Sequence, residues 1–173
     1  MNTKALKIIK DYVKDARGVL ESTMADVTEK QAHFLPPNAA LPIGALYAHV
    51  IVSEDWTIQS ILKKATTLAQ GLYATNSGIS EPMPAPGEGW EEKHRTWARS
   101  VNIDLPKLKE YAQAVYAATD EYLASLTEED LDRPVDLTSI GGSQVTLSWL
   151  IGNYVIIHTA NITGEISTIK GIQ

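Results

Sequence analysis

Four stretches of this chain place an apolar residue at every third or fourth position, the spacing that turns one side of an α-helix towards a core. The first runs through Leu6, Ile9, Tyr12 or Val13, Ala16, Val19 or Leu20, and Met24, with Lys7, Lys10, Asp11, Lys14 and Asp15 on the other side. The second carries Leu46, His49, Val52 or Ser53, Trp56, Ile61, Leu62, Ala65 and Leu68, starts near Asn38 or Pro42, runs to about Gln70 and ends at Gly71. Asp104-Leu105-Pro106, an N-cap with proline in the first turn, opens the third, which continues through Leu108, Tyr111, Val115, Tyr122 and Leu126. The fourth extends from about Val145 to Ile169, with Leu147, Leu150 or Ile151, Tyr154, Val155, His158, Ile162 and Ile166 inward. Thr28-Glu29-Lys30-Gln31 has the pattern of a capping box, and Thr127 to Asp130 caps a second short turn. No pair of segments alternates as paired strands do. The expectation is therefore an all-α chain, one four-helix bundle domain over residues 1–173.

The connections set the expected order of the helices. The first and second are joined briefly, as are the third and fourth. Between the second and third lie roughly thirty residues, long for neighbours in a compact domain, and rich in Pro82, Pro84, Pro86 and glycine. A helix of ~28 residues is ~42 Å long at 1.5 Å per residue, and a crossover of this length can return that distance. Up-down-down-up is thus expected rather than up-down-up-down. Glu91 to Arg99 is expected to form a short helix inside the crossover.

Composition narrows the function. The chain has no cysteine and a formal net charge of −6. Thiolate metal sites, disulfides and a cysteine nucleophile are excluded, and no basic face is available to neutralise nucleic-acid phosphates. The longest apolar runs, such as Val155-Ile156-Ile157, fall far short of the ~20 residues that cross a bilayer. The charged first segment lacks the apolar core of a signal peptide. A cytoplasmic location without nucleic-acid or membrane partners is expected.

Of the four histidines, His49 and His158 lie on the apolar stripes of the second and fourth helices. A buried imidazole needs a hydrogen bond or a metal at its ring nitrogens. Two readings are open: each is a hydrogen-bonded core residue, or the two meet between facing helices as metal ligands. Ser53 lies one turn after His49, but no Ser-His-Asp arrangement can be placed. Trp56, Trp149 and Tyr154 are candidate pocket walls, and Trp90 and Trp97 bracket His94 in the crossover.

A resemblance adds to these residues. His158-Thr-Ala-Asn161-Ile162-Thr-Gly164-Glu165-Ile166, Pro42 to His49 with Glu54-Asp55-Trp56 beyond, and Tyr122 to Asp132 together resemble the DinB-like metalloenzyme superfamily across nearly the whole chain. The resemblance implies a divalent metal, zinc or nickel, held by one histidine on the second helix and two on the fourth. It also implies a thiol-dependent isomerase or transferase activity and a homodimer. His49 and His158 match two of the ligands; the third falls at Ile162, which binds no metal. His94, Glu91 or Glu92 can replace it if the crossover folds over the site. Glu54, about 140° around the helix from His49, is expected to support a ligand or face solvent. Two functions follow: a metal-dependent transferase, isomerase or hydrolase, or a metal-free bundle that binds a small molecule or a partner.

Overall fold

The computed structural model describes residues 4–37 and 40–173, so the expected helix start at Asn38 lies outside the described residues. The chain is mostly helical. α1 (Lys4–Met24) turns Leu6, Val13, Leu20 and Met24 inward, as its periodicity requires. α2 (Glu29–Ala32) is opened by the expected capping box: the Gln31 amide donates to the Thr28 side chain, and the Thr28 amide to Gln31. α3 (Ile43–Asp55) is buried around nearly its whole circumference, which explains why its apolar stripe is so wide. It continues as a π-helical segment, Trp56–Leu62. α4 (Trp90–Ser100) lies within the crossover, and α5 (Leu105–Ala124) begins where Asp104 accepts the Lys107 amide. After a 3₁₀ turn (Glu129–Asp132), α6 (Leu147–Leu150), a second π-helical segment (Ile151–Ile157) and α7 (His158–Gly171) run on without a break. No helix among the described residues is long and apolar enough to cross a membrane.

The interior falls into two clusters. The larger joins the C-terminal part of α1, α3, α5 and α7 through Leu20, Leu46, Ile51, Leu108 and Ile166. The smaller gathers Val13, Leu123, Leu147, Leu150 and Val155 around the second π segment. α1 packs on α7, and α3 packs on both α5 and α7.

Three expectations need correction. Strands do occur: β1 (Pro134–Asp136) pairs antiparallel with β2 (Gln144–Thr146), Val135 opposite Val145. Three residues per strand are too few for alternation to be visible in the sequence. The fourth helix accordingly starts at Leu147, capped by Thr146. The second helix ends at Leu62 rather than Gln70. Lys64 adopts a left-handed φ of 54°, and the buried Asp55 carboxylate then accepts the amides of Leu68 and Ala69, both at 3.0 Å. Those bonds turn the chain back onto α3.

The crossover is pinned at Gly78. Its φ is +79°, and a Cβ there would lie 2.5 Å from the Leu108 nitrogen and 2.6 Å from the Asp104 carbonyl oxygen. The Asp104 amide donates to the Gly78 carbonyl at 2.8 Å, and Ile79 bridges Ile103. Both the backbone conformation and the contact forbid a side chain. Gly78→Ala is expected to lower unfolding free energy by about 2–4 kcal/mol; an unchanged urea midpoint would show that the crossover is not pinned here.

Candidate metal centre and its cavity

His49 and His158 meet. His49, on the central helix α3, is 8% exposed, and its Nε2 lies 2.9 Å from the Nε2 of His158. The ring centroids are 4.8 Å apart, edge to face. His158 is the first residue of α7, directly after the second π-helical segment, and the first π segment begins seven residues beyond His49. Such widened turns change which residues face inward and recur at functional sites. Here they leave Trp56, Asn153 and Tyr154 lining the same cavity as the two histidines.

The hydrogen bonds assign the tautomers. His49 Nδ1 lies 3.3 Å from the sulfur of Met83, and a thioether only accepts, so Nδ1 carries the proton. Nε2 of His49 is then a bare lone pair, and His158 Nε2–H donates to it. Burial, with the neighbouring His158 and His94, pulls the His49 pKa down to about 3. Burial also lowers those of His94, where His158 adds to the effect, and of His158. All three rings are therefore neutral near pH 7, the form that binds metals.

His94 joins the pair from α4. Its ring centroid is 4.6 Å from that of His49, and it stacks on Trp90 at 4.6 Å and 16°. Trp97 lies on another side at 5.4 Å. The two tryptophans also fasten the proline-rich strap: Trp90 Nε1 donates to the Pro84 carbonyl and Trp97 Nε1 to that of Glu81. His94 Nε2 is buried without a hydrogen-bond partner among the described residues. His33, by contrast, uses both nitrogens structurally, towards the Glu29 carbonyl and the Ile103 amide.

The remaining candidates are placed elsewhere. Ile162 is 9% exposed and packs in the larger cluster. Glu91 and Glu92 are exposed, and Glu92 pairs with Arg95. Glu54 neither supports a ligand nor faces solvent. At 1% exposed it accepts Arg17 and the Thr119 hydroxyl, away from the histidines. Ser53 lines the cavity but hydrogen-bonds no histidine. Sequence reasoning missed Met83, since a methionine in an irregular loop carries no periodic signal.

A cavity of about 730 Å³ opens beside His49 and His158, walled by Trp56, Trp90, Trp149 and Tyr154. That volume suits a small organic ligand. Among the described residues no three His, Cys, Asp or Glu side chains form a ready-made metal cage. The His49–His158 pair nevertheless has nearly the spacing that a metal needs. Two nitrogens at ~2.0–2.1 Å from one tetrahedral zinc lie about 3.4 Å apart, so the His49–His158 pair needs to open by only a few tenths of an ångström. The partnerless His94 nitrogen is a third imidazole donor beside it.

For the metal-free protein the buried His49 predicts acid lability. The unfolded chain takes up a proton below about pH 6.5, whereas the folded ring resists it to about 3. Stability from this group is full above the unfolded value and declines as pH falls between the two. Between pH 7 and 4.5, in chelator, the wild type is expected to lose roughly 2–3 kcal/mol more than His49→Gln. Equal losses in urea titrations would mean that His49 is protonated freely in the folded state.

The comparisons agree with the fold. A solved structure described as the conserved protein of locus from Enterococcus faecalis superposes with a TM-score of 0.76 at 21% identity, covering 95% of this chain and 94% of that one. No curated protein matches. The family model of the DinB superfamily matches residues 12–160, nearly the whole helical body including His49, His94 and His158, and the chain belongs to that superfamily.

Proposed function

We propose that this protein is a metal-dependent enzyme, a transferase, isomerase or hydrolase, acting on a small molecule in the cavity, with His49, His94 and His158 as its metal ligands. The observation that carries the reading is the meeting of three neutral imidazoles from three helices, two with Nε2 atoms 2.9 Å apart and the third with a buried, partnerless Nε2. Zinc or nickel bound there supplies a Lewis acid or an activated water. The chain supplies the rest. Met83 holds the proton of His49 on Nδ1, and His158 would ligate through Nε2 once its own proton passes from Nε2 to Nδ1. Trp90 and Trp97 hold the His94 ring, and the strap from Ser80 to Pro86 helps to enclose the cavity and keep water from it. His94 thus replaces the fourth-helix ligand lost at Ile162.

Side-chain hydrogen bonds support the up-down-down-up order. The Leu6 amide donates to Glu128 and Lys109 Nζ to the Met24 carbonyl, so α1 and α5 run oppositely. Tyr47 and Tyr116 both donate to Glu21, and further along both helices Thr119 donates to Glu54, which sets α3 beside α5 in the same sense. Lys170 donates to the Thr23 carbonyl, which sets the end of α7 beside that of α1. A cytoplasmic location and a homodimer belong to the same proposal; the first rests on the cysteine-free sequence with its charged first segment and short apolar runs, the second on the family resemblance.

The second reading, a metal-free binding module, is favoured by the same 2.9 Å contact, which satisfies two ring nitrogens without a metal. Metal analysis separates the two. Protein purified without a nickel column is expected to carry about one zinc or nickel per chain, or to take it up stoichiometrically, and His49→Ala none. No metal in the wild type under either condition would leave the binding module.

A further inference from the structure

We propose that Met83 is an oxidation site through which a hydroperoxide loosens the candidate metal centre, by removing the acceptor that keeps the His49 proton on Nδ1. The effect on a metal rests on the metal-centre reading; the effect on the His49 proton does not.

The chain has no cysteine, so its thioethers are the sulfurs open to oxidation. Two methionines lie among the described residues, and their surroundings differ. Met24 is 0% exposed within the larger core cluster. Met83 is half-buried and lines the cavity, between Pro82 and Pro84 in a part of the strap without helix or strand. A cavity of about 730 Å³ gives a small hydroperoxide room beside this side chain. Against it, with Nδ1 3.3 Å from the sulfur, stands the His49 ring.

The oxidation consumes the peroxide alone. A sulfur lone pair attacks the terminal peroxide oxygen, and the S–O bond forms as the O–O bond breaks. The proton on the attacked oxygen passes to the departing one, which leaves as water or an alcohol. Sulfur gives up two electrons and the peroxide takes them, so the product is the sulfoxide. Nδ1–H of His49 occupies one sulfur lone pair, so the pair turned away from the ring reacts. A single sulfoxide epimer follows.

That product is a different neighbour for His49. A thioether sulfur accepts a hydrogen bond, if weakly, whereas a sulfoxide carries its negative charge on oxygen and leaves sulfur positive. With the new oxygen turned from the ring, Nδ1–H faces a sulfur that no longer accepts. A buried donor without an acceptor is costly. A neutral imidazole escapes that cost by carrying its proton on Nε2, where the Nε2 of His158 lies 2.9 Å away. The nitrogen that would meet a metal then bears a hydrogen, and can be freed only by returning the proton to an unpartnered Nδ1. Loss of the acceptor behind a metal-binding histidine typically costs ~10–100-fold in affinity, and a weak acceptor such as a thioether belongs at the lower end.

The test treats full-length protein, in chelator, with hydrogen peroxide. Digests are read by mass spectrometry after exposure to each of the two epimer-specific methionine sulfoxide reductases. Met83 sulfoxide is expected to form at least tenfold faster than Met24 sulfoxide, and one reductase alone to remove it. Imidazole nitrogen NMR of the same sample is expected to place the His49 proton on Nδ1 before treatment and on Nε2 after it. Met83→Leu, which lacks the acceptor from the start, shows the Nε2 form with or without peroxide. Zinc affinity, measured separately by competition with a chromophoric chelator, falls about tenfold in oxidised wild type and in Met83→Leu. The matching reductase restores it in the wild type, and peroxide leaves Met83→Leu unchanged. Equal amounts of the two epimers, a His49 proton that stays on Nδ1 after oxidation, or zinc binding of undiminished strength in the oxidised protein overturns the proposal. A shifted proton in protein that takes up no zinc sinks the metal reading alone, and zinc uptake with an unshifted proton sinks this proposal alone.

Discussion

His94→Ala is expected to weaken zinc binding by roughly 10²–10³-fold while leaving the helical fold in place. The magnitude follows from sharing out the ~10–16 kcal/mol typical of a complete structural zinc site among its ligands, so that each imidazole accounts for a few kcal/mol. The fold is expected to survive because α4 sits on the outside of the rods and keeps Trp97 and Ala98 buried without the imidazole. A rescue makes the test specific. Ile162 is one turn beyond His158, the position that presents a side chain to the same side of the helix. In the double variant His94→Ala/Ile162→His the missing donor is restored from α7, and zinc affinity should return to within about tenfold of wild type. Competition titrations with a chromophoric chelator read all three proteins. Unaltered affinity in His94→Ala would remove His94 from the ligand set; no recovery in the double variant would show that α7 cannot supply the third donor.

The second large effect lies away from the cavity. Arg17, 6% exposed, donates through Nε and Nη2 to Glu54, 1% exposed, and through Nη1 to Asp120 at 2.7 Å. Its guanidinium also lies 4.6 Å over the Tyr116 ring. α1, α3 and α5 are thus joined by one ion cluster, buried at Arg17 and Glu54 and open to solvent at Asp120. Arg17→Met is expected to reduce stability by about 3–5 kcal/mol at pH 7, because it strands the Glu54 carboxylate in the core with one hydroxyl donor, Thr119. Arg17→Met/Glu54→Leu should recover most of that loss, since apolar side chains of similar volume carry no desolvation penalty. Urea denaturation of the two variants decides it: a double variant as unstable as the single one would mean that the packing of Arg17, rather than its charge, holds the three helices.

Much of the architecture was readable from side-chain spacing. The 3.6-residue periodicity marks α1, α5 and the run from α6 to α7, and the capping residues Thr28 and Asp104 start α2 and α5 where the sequence indicates. These signals are local: a stripe or a cap acts within a few residues, so one chain reveals it without its neighbours. The presence of His49 and His158 on facing stripes was legible for the same reason.

The events that complete the site depend on residues far apart in sequence. Asp55 ends the second helix early by capturing amides thirteen and fourteen positions away. Gly78 is committed by its contact with the start of α5. Glu54 reads as a helix-surface acid until Arg17 and Thr119 meet it in the core. His94 sits in a segment without long-range periodicity, and it reaches His49 because the strap and two tryptophans fold α4 against α3. Periodicity tells which way a side chain faces around its own axis, whereas the distance between two imidazoles is set by how the axes pack and where the crossover lies. By itself the sequence determined the helices and their inward residues; tertiary packing alone decided that His49 and His158 share one cavity with His94 packed against His49, because no local rule carries information across forty or a hundred residues.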